Sequence, residues 1–158
     1  MPHTELILIG IGSCIVFDVW QRIFQIFTSI PPSNWTLVGR WFIGLMSNGQ
    51  LIASQLSQQP EAKHETPVGW AVHYVVGIAY AYVLFILVQL GIFEPTITHG
   101  LVFGVVSVLV PWLFFIPAMG NGIMASKTPN PKAACALALM MHSLFGLSLG
   151  VGFSTLLA

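Results

Sequence analysis

Asp18 and Arg22 stand four residues apart inside an apolar run from Leu6 to Ile30. A carboxylate can carry a proton or balance a cation, and a guanidinium can hold an anionic group. Within a stretch long enough to cross a bilayer, either charge is costly and calls for a reason. Two further ionisable residues fall in later apolar runs. Each opens the same pattern of His, three residues, Gly, three residues and a small residue: His73, Gly77, Ala81 and His142, Gly146, Gly150. At about 1.5 Å per helical residue, Arg22 lies roughly 12 Å and Asp18 roughly 18 Å from the end of their run. His73 lies roughly 8 Å and His142 roughly 13 Å into theirs, so all four occupy one slab of the membrane.

Three chemistries fit these residues. In the first, Asp18 and Arg22 form an i,i+4 pair, completed by histidines and backbone carbonyls, that fixes helices in register. In the second, Asp18 and a histidine exchange protons while Arg22 holds an anion, as in a binding or transport site. The third is metal-dependent catalysis, since Asp18, His73 and His142, with His64 or Glu65, are ligand types for zinc. The chain lacks His-Glu-x-x-His and Gly-x-Ser-x-Gly, and no helix carries a carboxylate pair. No catalytic residue, metal site or cofactor is therefore assigned, and an enzyme is the least favoured class.

The elements that must position these groups are membrane spans. Of 158 residues, 56% are hydrophobic and 6% charged, against about 25% charged in ordinary soluble domains. Ten charges cannot cover a water-soluble surface of this size, and a formal net charge of zero argues against a nucleic-acid partner. Spans are expected at about 6–30, 68–90, 98–117 and 133–157, within a single domain covering 1–158. Pro31-Pro32 ends the first. The opening run is too long, too charged and without the basic start of a signal peptide. Cys14 and Cys135 fall in or beside apolar runs with no metal spacing, as small packing residues do.

Lysines and arginines outside the spans set the orientation. Arg40 and Lys63 lie in the loop 31–67, and Lys127 and Lys132 lie in the loop 118–132. The N-terminus, the turn Gly91–Pro95 and the C-terminus have none, which places both loops in the cytoplasm and both termini in the periplasm. The turn is short enough to make spans two and three antiparallel neighbours. In the first loop Val38, Trp41, Phe42 and Leu45 recur at helical spacing beside Arg40. That pattern reads as a short amphipathic helix on the inner leaflet, or as a re-entrant segment packed at Gly39 and Gly44. From Ser47 to Thr66 the chain is polar and reads as solvated. The stiff Lys127-Thr-Pro-Asn-Pro-Lys132 segment suits anionic headgroups, beyond its part in orientation. Small residues four apart at Gly77/Ala81, Gly100/Gly104 and Gly146/Gly150 are candidate helix contacts. The repeated His-Gly pattern on spans two and four suggests two hairpins related by an axis along the membrane normal.

The motifs Gly39-Arg40-Trp41, Gly69-Trp70-x-x-His73-Tyr74, Pro95-Thr96, Pro117-x-x-Gly120-x-Gly122-Ile123, Ala125-Ser126, Thr128-Pro129-x-Pro131 and His142-x-x-Phe145-Gly146 occur in order along most of the chain. Together they resemble a bacterial family of small four-span membrane proteins, domain of unknown function 2938. The resemblance implies an inner-membrane location and this span count, and supplies no activity. The chain departs from the family at Gln50-Leu51, where an aromatic residue and a histidine are expected, and at Ala134-Cys135-Ala136, where a basic residue is expected. The expectation is thus an all-α integral membrane four-helix bundle with a short interfacial helix. Its polar cluster is Asp18, Arg22, His73 and His142, and its interfacial residues are Arg40, Trp41, Lys127 and Lys132. Small-solute or proton-linked transport is the leading function, with a structural or assembly subunit as the alternative. The lipid bilayer is the partner, with a homodimer or larger complex around it.

Overall fold

The computed structural model describes residues 3–156, and within them the chain is all-helical. Four helices are long and apolar enough to cross a membrane: His3–Thr28, Glu65–Gln89, Ile97–Ala118 and Pro131–Leu156. Their bounds fall within three residues of those expected. The first is α1 (His3–Thr28), which stops short of the proline pair because Ser29 turns left-handed at φ 58°. Next comes α2 (Trp35–Asn48), capped by the Asn34 side chain, which accepts from the Leu37 amide, and closed by left-handed Gly49. The second span is α3 (Glu65–Gln89).

The third span is built in pieces. α4 covers Ile97–Ser107, a π-helical turn covers Pro111–Phe115, and α5 covers Ile116–Ala118. Pro111 has no N–H to return to the Ser107 carbonyl, and the next turn widens until the Ile116 amide reaches the Pro111 carbonyl. Pro111 therefore breaks the ladder inside a span. α6 (Pro131–Leu156) starts with proline in its first turn and with the Asn130 side chain accepting from the Ala133 amide.

The chain divides into two compact units. One comprises Met1–Ser33, Tyr74–Ser107 and Met140–Ala158. Its core holds Leu6, Ile9, Cys14, Leu84, Phe103, Phe145, Leu149 and Phe153. Glycines set its helix crossings. A Cβ at Gly10 would overlap the backbone at Gly77–Ile78, and one at Gly77 would overlap the Cys14 sulfur, so α1 meets α3 there. A Cβ at Gly100 would overlap Gly150, and one at Gly104 would overlap Gly146, so α4 meets α6 by the same device. The stripes Gly77/Ala81, Gly100/Gly104 and Gly146/Gly150 thus include the contact positions expected of them. Tyr80 of α3 meets Phe103 of α4 edge-on at 6.0 Å, so these helices are neighbours across the short turn.

The other unit comprises Asn34–His73 and Val108–Leu139. Its core is Trp41, Ala53, Leu56 and Ala118, with Leu37, Phe42, Leu45 and Phe115 packed against it. Gly39 and Gly69 let α2 and the start of α3 touch backbone to backbone, because a Cβ on either would overlap the other helix. The Ser47–Thr66 segment is largely exposed, yet it is not simply a solvated tether. Ala53, Leu56 and Glu65 are buried, and the Ala53 amide donates to the Ala118 carbonyl at 2.7 Å. Composition suggested solvation because three buried anchors among so many polar residues barely change a local average.

Candidate functional site

Among the ionisable groups expected to form the polar cluster, Asp18, Arg22 and His142 belong to the first unit. Asp18 is half-buried on α1, and the Tyr74 hydroxyl donates to its Oδ2 at 3.2 Å. Arg22, one turn further on, is exposed and makes no ion pair among the described residues. The i,i+4 pair read from spacing is therefore not formed. Gln21 takes the inward position instead, with its Oε1 accepting from the Ser33 amide at 2.6 Å. One residue is about 100° around a helix, so an inward Gln21 turns Arg22 outward.

His142 on α6 is held by Ser107, the last residue of α4, with Oγ to Nδ1 at 2.9 Å. The same hydroxyl donates to the Gly104 carbonyl at 2.8 Å. A serine has one proton to give. With that proton on Gly104, His142 must donate through Nδ1–H, which leaves Nε2 as its acceptor. This arrangement is the reverse of a nucleophile–base pair, because the serine proton points away from the imidazole. Tyr80 meets the imidazole edge-on at 6.1 Å.

His73 and the interfacial candidates belong to the second unit. The His73 ring stacks on Trp35 with centroids 3.9 Å apart, and Trp70 meets it edge-on at 6.0 Å. Arg40 and Trp41, expected at the membrane surface, turn into the protein. Arg40 is buried against Glu65 in a two-pronged pair, Nε to Oε2 and Nη2 to Oε1, both 2.7 Å. Its remaining nitrogen donates to the carbonyls of Gln59 at 2.8 Å and Leu56 at 3.4 Å. Glu65 Oε2 also accepts from the Ala62 amide at 2.9 Å. Trp41 donates through Nε1 to the Leu51 carbonyl at 2.9 Å. Together these bonds fasten the first loop to α2 and to the start of α3. Lys127 and Lys132 are exposed.

Three partners of these groups escaped sequence reasoning. Tyr74 sits beside His73 in a quoted motif, but a tyrosine in an apolar helix looks like packing. Ser107 gives no signal beyond being a hydroxyl in a span. Glu65 drew notice only as a zinc ligand type. A better clue was that Gly39 and Gly69, at a backbone crossing, bring their charged near-neighbours Arg40 and Glu65 within reach. Among the described residues no group of three or more His, Cys, Asp or Glu could hold a metal ion.

Over residues 7–156 the sequence matches the family described as Protein of unknown function (DUF2938). No curated protein and no solved structure matches the chain. The family match covers nearly its whole length, and the chain belongs to this uncharacterised family, with four helices that could cross a membrane.

Proposed function

We propose that the chain is a bacterial inner-membrane protein that moves protons, alone or together with a small solute, through the polar side chains of its spans. In this reading the four spans form one bundle, both termini are periplasmic, and loops 31–67 and 118–132 are cytoplasmic. α2 lies at the cytoplasmic face. Four short spans enclose little room for a pathway, so the working unit is a homodimer or a larger complex.

The supporting observation is the kind of partner these ionisable groups have. Tyr74 serves Asp18, and Ser107 serves His142. A hydroxyl both donates and accepts, so each pair survives the gain or loss of a proton. An arginine partner would instead favour a permanently charged carboxylate. Arg22, the one guanidinium within reach by spacing, faces away. The test is acidification of a lumen dye, under an imposed inside-negative potential, in liposomes carrying the purified protein. The expected result is a flux that Asp18→Asn abolishes at equal protein incorporation.

A structural or assembly subunit is the second reading. The backbone-to-backbone glycine crossings favour it, because they serve packing whether or not anything moves. Under that reading Asp18→Asn lowers the yield of folded protein and leaves no flux to lose.

A further inference from the structure

The second unit exposes large apolar side chains where no span requires them. Leu51 and Ile52 in the first loop are 49% and 62% exposed, and Ile123 and Met124 in the third are 62% and 46% exposed. The two pairs flank one backbone junction. Ala53 follows Ile52, and its amide bonds the carbonyl of Ala118, the last residue of the third span. Gly120 packs so closely on the Ala53 carbonyl that a Cβ there would overlap it. The conformation of the third loop is specific as well. Met124 and Ala125 are left-handed without being glycine, at φ 49° and 59°, and this turn buries Ala125 while leaving Ile123 and Met124 outside.

The exposed charges of this unit are mostly of one sign. Arg40 and Glu65 cancel within the unit, and the exposed Lys63, Lys127 and Lys132 outnumber Glu61. Exposed apolar side chains in a unit with an excess of exposed lysines, tied by a hydrogen bond to the end of a span, match the boundary between acyl chains and anionic headgroups.

We propose that the tips of the two loops, Leu51–Ile52 and Ile123–Met124, form a wedge inserted into a leaflet of anionic lipid. Its apolar side chains reach the acyl region, and its lysines remain with the headgroups. The wedge rests on the chain being a membrane protein and is independent of whether protons cross it.

Spin labels at Ile52→Cys and Ile123→Cys test this in a Cys135→Ser background, where Cys14 is buried away from the label. The labelled chains go into vesicles of phosphatidylcholine and phosphatidylglycerol, and matching helicity and elution volume establish that they are folded. The expected result is a label more accessible to oxygen than to a water-soluble nickel chelate, with the opposite preference at exposed Ser54→Cys and Gln58→Cys. Replacing Lys63, Lys127 and Lys132 by glutamine lowers the oxygen-to-nickel ratio at positions 52 and 123. Nickel access equal to that at positions 54 and 58 would overturn the proposal in favour of a solvated surface. Exclusion of both reagents would overturn it in favour of cover by a second protein copy. A ratio indifferent to the lysines would overturn the role given to anionic headgroups.

Discussion

Arg40 and Glu65 form a buried, two-pronged ion pair, and its value depends on both partners being present. A buried ion pair gains little over an apolar pair of similar volume, because each charge has given up water to enter it. Removing one partner leaves the other charged and dry, which is far worse. Arg40→Met alone is therefore expected to lower the melting temperature in detergent more than Arg40→Met combined with Glu65→Leu does. Equal loss in the two variants would show that the pair is not desolvated as the structure has it. The expensive residues of this chain were legible as residues: Asp18, Arg22, His73 and His142 all stand out against apolar neighbours. Their partners were not. A hydroxyl such as Tyr74 or Ser107 costs little in a span, so nothing in the sequence marks it. The direction of Arg22 hung on Gln21, an uncharged neighbour competing for the same interior position. At this scale Tyr74→Phe is expected to slow proton movement without abolishing it, as the carboxyl of Asp18 remains and only its hydroxyl partner is lost. Flux equal to wild type in Tyr74→Phe, measured with the same lumen dye, would remove the hydroxyl from the path.

Helix crossings in the first unit follow a small-residue rule that was readable in advance. Gly100 and Gly104 face Gly150 and Gly146, and the α1–α3 contact uses Gly10 and Cys14 against Gly77. In both contacts residues four apart on one helix meet a glycine of its partner. The crossings also differ sharply in tolerance. Gly104→Ala puts a methyl into the Gly146 backbone, and overpacking of that kind costs roughly 1–3 kcal/mol. Gly12, on the same helix as Gly10, has nothing within 4 Å of an added Cβ. Gly12→Ala is therefore expected to be neutral or to stabilise by roughly 0.5–1 kcal/mol, since glycine weakens a helix interior. Thermal unfolding of the two variants side by side checks this, and a Gly104→Ala chain as stable as Gly12→Ala would contradict the crossing. Element positions were legible because span length and proline placement are strong signals. The first loop was not, since its anchors Ala53 and Leu56 look ordinary among polar neighbours.

For the whole molecule, the orientation rests on where the lysines and arginines lie. Reporter fusions at both termini are expected to be active as periplasmic alkaline phosphatase and dark as a cytoplasmic fluorescent protein. The opposite result would reverse the account of which face carries α2 and the lysine-bearing loops. Composition made the membrane class plain, and the ordered motifs pointed to the family. Activity was not legible, because the sequence carries none of the short motifs that mark a reaction or a bound group. The decisive measurement is therefore proton movement by the reconstituted protein, compared between wild type and Asp18→Asn at matched incorporation and matched thermal stability. The account predicts acidification of the lumen by wild type and none above empty liposomes with Asp18→Asn. Equal acidification by both proteins, or none by either, would contradict it.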